Sequence, residues 1–99
     1  MEKSIFSLEY KQVLKQLRDA REDSGLTQSD VAERLGQTQS FVSKVERSER
    51  RLDVVELRAF CNAIGIQFSE FIAEVERRLE KPGNAVGHNV LNGTISLPQ

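Results

Sequence analysis

One cysteine and one histidine stand in 99 residues, and each scarcity removes a class of function. A lone thiol cannot close an intrachain disulfide and suits a reducing cytoplasm. The single histidine, His88, lies in a Gly/Asn-rich stretch near the C-terminus, without the partners that a Ser-His site or a metal site needs. No glycine-rich phosphate loop is present. The acidic side chains are mostly interleaved with basic ones along helical patterns, which suits solvated faces. No enzyme activity, catalytic residue, cofactor or metal is expected. No apolar run approaches the ~20 residues of a membrane span, and residues 1–6 lack the long apolar core of a signal peptide; a cytoplasmic location and no membrane partner are expected. An excess of either charge is missing too. The 14 basic and 15 acidic side chains give a formal net charge of −1, a mild objection to a nucleic-acid partner. The 38 % hydrophobic and 29 % charged fractions are those of an ordinary globular protein, long enough for one domain with a modest core.

What is present is helical periodicity punctuated by caps. Residues 1–7 read as an N-terminal arm, with Ser7 a candidate cap for a first helix. Tyr10, Val13, Leu14 and Leu17 recur at helical spacing, and Gly25 closes that helix. Thr27 caps a second helix, helped by Asp30 three residues on and by a Leu26–Val31 hydrophobic staple. Val31, Ala32 and Leu35 share one face. Gly36 can take the left-handed conformation that ends a helix, and Thr38 caps a third. Val42 and Val45 give the third helix a narrow buried stripe and leave Gln39, Ser40, Ser43 and Lys44 facing away. Two helices that cross steeply through a short turn need a small residue at the crossing and a glycine in the turn; Ala32 and Gly36 supply them. Residues 27–47 thus have the form of a helix-turn-helix, although an ordinary helical corner has the same spacing.

Further on, Asp53 and Glu56 form a capping box for a fourth helix, with Leu52 and Leu57 as its staple. Leu57, Phe60, Cys61 and Ile64 mark its buried face and Gly65 its end, so Cys61 reads as a packed thiol. In the fifth helix, Phe68, Phe71, Ile72, Val75 and Leu79 make a stripe longer than a small core needs. Its first half suits the core, while Val75 and Leu79 suit a dimer seam. Pro82-Gly83 stops the helix. Residues 83–99 carry almost no charge and include Asn92-Gly93 between apolar residues, a hairpin signal. A lone hairpin is marginal, so this tail either docks on the body or a second subunit, or stays unstructured. The expected division is an arm at 1–7, a helical domain at 8–82 and a tail at 83–99 that is a candidate dimerisation element.

Several pieces, in order and with matching gaps, resemble the Xre family, the lambda repressor and Cro-like DNA-binding domains. They are Leu17-Arg18-Asp19-Ala20-Arg21, Gly25-Leu26-Thr27-Gln28, Val31-Ala32, Leu35-Gly36, Val42-Ser43-Lys44-Val45-Glu46-Arg47 and residues 59–66. They lie within residues 14–79, the stretch over which the chain resembles the family. Ser48 stands where the family usually has Gly, and Leu52 where it commonly has Pro. The resemblance implies an all-α fold of five compact helices and a double-stranded DNA partner. It implies base contacts from Thr38, Gln39, Ser40 and Lys44, with phosphate contacts from Gln28, Ser43, Arg47, Arg50 and Arg51. It also implies that Arg21 pairs with Glu46, touches phosphate, or does both. Phe41 either covers the turn or meets a thymine methyl.

Charge distribution supports that assignment a little. Residues 27–51 carry five basic side chains against four acidic, and residues 53–99 four against six. The one dense basic cluster, Lys44 to Arg51, lies at the end of the reading helix, where phosphate contact is expected. The expected function is a sequence-specific transcription regulator that binds palindromic DNA as a homodimer, with a narrower likeness to restriction–modification controller proteins. The alternative is a protein-binding module such as an antitoxin that neutralises a toxin.

Overall fold

A computed structural model describes residues 5–80, which form five helices: α1 (Ile5–Asp23), α2 (Gln28–Leu35), α3 (Gln39–Glu46), α4 (Val54–Ile64) and α5 (Phe68–Leu79). The expected five-helix, all-α architecture is the one observed, with no strand among the described residues. The hairpin signal at 90–95, the tail at 83–99 with His88, the Pro82-Gly83 stop and residues 1–4 of the arm lie outside the described residues.

Local chemistry sets most of the helix ends. The Thr27 hydroxyl accepts from Asp30 N–H at 3.0 Å, and the Asp30 carboxylate accepts from Thr27 N–H at 2.9 Å. Asp53 and Glu56 repeat the arrangement at 2.7 and 2.9 Å. Each box satisfies two backbone donors that a helix start leaves open. The backbone bond from Thr27 holds the Asp30 carboxyl below its usual pKa. At the C-terminal ends of α1 to α4 the chain turns back through a left-handed residue. Gly36 has φ 70°, and beyond it Gln37 N–H reaches the Ala32 carbonyl at 2.9 Å. The same closure follows α3, where Glu49 N–H bonds to the Lys44 carbonyl at 2.8 Å. There, however, the left-handed residue is Ser48, with φ 65°, outside the glycines the only described residue of positive φ. Its Cβ makes that conformation unfavourable.

One expectation is corrected at the N-terminus. α1 is already helical at Ile5, so the arm does not reach residue 7, and Ser7 lies within the helix. Adding a turn to a formed helix costs little compared with nucleation; Phe6, at 76 % exposure, joins without burying its ring.

The core draws on every helix: Leu14 and Leu17 from α1, Val31 and Ala32 from α2, Val42 and Val45 from α3, Phe60, Cys61 and Ile64 from α4, and Phe71 from α5. Burial pushes the Cys61 thiol up to about 11, so it packs as a small apolar group. Two polar ties cross the core edge. Buried Gln16 donates its amide to the Phe71 carbonyl at 2.9 Å, joining α1 to α5. Arg34 donates to the Ala63 carbonyl at 2.7 Å, joining α2 to α4. Along α5, Phe71 is buried, Phe68 and Val75 pack half-buried against the core, and Ile72 is 40 % exposed. No helix among the described residues is long and apolar enough to cross a membrane.

The two left-handed turns around α3 give opposite predictions. Gly36→Val places a β-branched side chain at φ 70° and should cost about 1–3 kcal/mol. Ser48→Gly relieves the same conformation, less the extra freedom of an unfolded glycine, and should stabilise by about 0.5–1 kcal/mol. Urea unfolding of both variants measures each change.

Candidate nucleic-acid interface

A buried ion pair stands behind the exposed face of α3. Arg21, near the end of α1, donates from Nε to Glu46 Oε2 at 2.6 Å and from Nη2 to Glu46 Oε1 at 3.0 Å. Its Nη1 donates to the Leu26 carbonyl at 2.8 Å, in the turn that leads to α2. The two side chains are 10 % and 5 % exposed, so the pair is shielded from solvent and leaves little guanidinium surface for a phosphate. The hydrogen bond to Glu46 raises the Arg21 pKa against the opposing effect of burial. One guanidinium thereby fixes the last turn of α3, the end of α1 and the entry to α2.

The pair does not end at Glu46. Gln28 donates from Nε2 to Glu46 Oε1 at 2.9 Å, and Gln39 donates from Nε2 to Gln28 Oε1 at 2.6 Å. The amide orientations follow from the chemistry. An ionised carboxylate only accepts, so Gln28 must present its NH2 to Glu46 and its carbonyl to Gln39. Gln39 then keeps its carbonyl oxygen and one amide hydrogen. That is the acceptor–donor set a glutamine needs for a bidentate pair with adenine.

The other residues expected to contact DNA lie around Gln39. Ser40 and Lys44 are exposed on α3. Thr38 is exposed as well, but its hydroxyl oxygen accepts from Phe41 N–H at 3.0 Å as the helix cap. Ser43 is half-buried and accepts from Arg47 Nη1. Ala32 and Gly36 hold the turn, the first buried and the second left-handed. Phe41 is packed rather than presented: its ring centre lies 6.1 Å from that of Phe60 on α4.

The basic cluster carries its own counter-charges, which composition does not show. Arg47 makes two bonds to Glu49, at 3.1 and 3.0 Å. Arg50 makes two bonds to Glu56, at 2.9 and 3.0 Å, with its guanidinium carbon 4.9 Å from the centre of the Phe41 ring. Each arginine lowers the pKa of its carboxylate partner. Arg51 differs: it lies over the Tyr10 ring at 4.3 Å, and among the described residues it has no salt bridge. The Tyr10 hydroxyl also accepts from Leu52 N–H at 3.1 Å, a bond that a proline at that position could not donate. Val75 and Leu79 sit half-buried on α5; Val75 packs against the monomer core.

If the ion pair organises this face, its members should be coupled. A double-mutant cycle on Arg21→Ala and Glu46→Ala should give an interaction energy above ~1 kcal/mol, and each single change should cost about 3–5 kcal/mol, because it strands a buried charge. Denaturant unfolding of the four proteins measures both.

With this geometry in view, the likeness to known proteins is specific. A helix-turn-helix family model matches residues 17–71, more than half of the chain. A solved structure, an XRE-family like protein from Pseudomonas syringae pv. tomato str. DC3000, superposes with a TM-score of 0.72 at 43 % sequence identity, over 75 % of this chain and 90 % of that one. An uncharacterised HTH-type transcriptional regulator of Sinorhizobium fredii is 32 % identical over 56 residues, which span 57 % of this chain and 73 % of its own length. The chain belongs to the helix-turn-helix family, as a domain of the XRE type.

Proposed function

We propose that the protein is a DNA-binding transcriptional regulator that reads a palindromic site as a homodimer. The observation that carries this reading is the presentation of Gln39: it is exposed on α3, and its amide is held by a relay that begins at a buried ion pair. A side chain aligned in this way loses less freedom when it meets a base edge. The Sinorhizobium fredii relative, an HTH-type transcriptional regulator, points the same way.

In this reading α3 enters the major groove by its N-terminal end and α2 crosses the backbone. Gln39 pairs with adenine, and Lys44 donates to guanine O6/N7. Ser40 and Thr38 contact base edges, Thr38 with its remaining hydroxyl hydrogen. Gln28 contacts phosphate at the start of α2, where backbone N–H groups also face an anion. Ser43, Arg47, Arg50 and Arg51 hold the flanking phosphates. The DNA-binding unit is residues 8–82. Two units on a two-fold axis double the contact area of a single small domain. The seam is built from Val75 and Leu79, and residues 83–99 contribute to it.

The readout is tested on the duplex that the protein selects from a random pool. Gln39→Ala should lose ~1–3 kcal/mol on that site and relax one position per half-site. An equal loss on random DNA would move Gln39 to the backbone. Arg51→Ala should weaken all sequences alike and flatten the salt slope by about one per subunit. An unchanged slope would remove Arg51 from the interface.

Assembly is tested separately. Leu79→Glu places a charge twice in a symmetric seam, so it should yield a folded monomer with weak DNA affinity. Sedimentation and circular dichroism decide: a variant that stays dimeric puts the seam elsewhere, and one that unfolds puts Leu79 in the monomer core.

A further inference from the structure

The three arginines after α3 are held in three different ways, and the difference has a consequence for DNA binding. Arg51 rests on a neutral ring, Tyr10. Arg47 pairs with Glu49, two residues away, both side chains being 54 % exposed. Arg50 has the most partners, although its side chain stays 41 % exposed: Glu56 takes two of its N–H groups, the Phe41 ring lies beneath it, and the Arg51 carbonyl accepts a further bond. Glu56 is itself anchored, because its carboxylate also accepts from Asp53 N–H at 2.9 Å in the capping box of α4. The carboxylate that faces Arg50 is therefore placed by the start of a helix.

We propose that Glu56 is a resident competitor for the DNA backbone: it holds Arg50 in the free protein and sets how tightly, and with what salt dependence, the domain binds duplex DNA. The inference rests on the DNA-binding reading above. A cation on a neutral surface that meets a phosphate releases a condensed counterion from the DNA and steepens the salt dependence. Arg50 instead exchanges one anion for another. The carboxylate it leaves behind needs a counterion of its own and stands close to the phosphate, so Arg50 adds almost nothing to the salt slope. Glu56 thus offsets part of the interface's charge without touching DNA, and so limits affinity for duplex of any sequence.

Glu56→Gln separates this role from capping. Glutamine also serves at the third position of a capping box, so the change keeps the cap and deletes the charge. The full-length variant should match wild type in helicity. It should bind a random-sequence duplex several-fold more tightly at low salt, with a log–log salt slope steeper by roughly one per subunit. Adding Arg50→Ala should abolish both gains. A Glu56→Gln protein with wild-type affinity and slope overturns the proposal, as does a gain that survives Arg50→Ala, which would make it an effect of bulk charge. A wild-type protein without salt-dependent duplex binding is a different result: it removes the DNA-binding reading itself. A second measurement needs no variant. The Arg50 Nε–Hε resonance of the wild-type protein should shift when duplex is added, and an unmoved resonance means that Arg50 never leaves Glu56.

Discussion

The exposed face of α3 depends on one buried contact, the Arg21–Glu46 pair. Neither charge would be tolerated alone at that depth, because desolvation of an ion costs several kcal/mol when nothing answers it. Together they satisfy each other with two parallel bonds, and the spare donor of Arg21 takes the Leu26 carbonyl. A hydrophobic pair of equal volume could fill the space. It could not point: the value of the ion pair lies in direction, since Glu46 passes its alignment through Gln28 to Gln39. Residues from three helices are thereby fixed relative to one another behind a surface that is otherwise polar and exposed.

Of the two departures from the family pattern, one finds a local explanation. Leu52, where proline is common, keeps a backbone N–H, and that N–H is bound by Tyr10. The same tyrosine supports Arg51, so the loop after α3 is pinned to α1 through one aromatic side chain. Ser48, where glycine is usual, has no such return. It closes α3 in the left-handed conformation that glycine would adopt without strain, and nothing in the structure offsets the difference.

Sequence made the helix punctuation legible because caps and turns are local. Thr27, Asp30, Gly36, Thr38, Asp53, Glu56 and Gly65 act within a few residues of themselves, and each falls where its chemistry is used. The buried stripes of α2, α3 and α4 were legible for the same reason. What lay beyond reach was tertiary and polar. The residue types of Gln28 and Gln39 suggest DNA contacts but not that the two bond to each other across 11 positions. Nothing local marks Gln16 as buried, because its partner, the Phe71 carbonyl, lies 55 positions away. The run from Lys44 to Arg51 reads as open positive charge, yet Glu49 and Glu56 occupy two of its arginines. Phe41 carried two readings that only its distance to Phe60 could separate. The helical state of residues 5–7 is not legible, because exposed side chains such as Phe6 leave no burial pattern to read.

These observations also account for a helix-turn-helix chain with a net charge of −1. Its basic residues are not gathered into an open field. Among the described residues Lys15, Arg18, Arg21, Arg47, Arg50, Arg77 and Arg78 pair with carboxylates, and the polar relay, not bulk charge, organises the exposed face of α3. That is the central claim, and the most direct test is to break the relay at its middle and watch the base preference. Wild type and Gln28→Ala would each select duplexes from the same random pool, followed by sequencing of the bound fraction. If the relay aligns Gln39, the wild-type motif should be two-fold symmetric, and Gln28→Ala should keep its spacing while losing preference at one position per half-site, the one that Gln39 reads. If Gln28 only touches phosphate, the variant would bind more weakly with an unchanged motif, and that result would contradict the account.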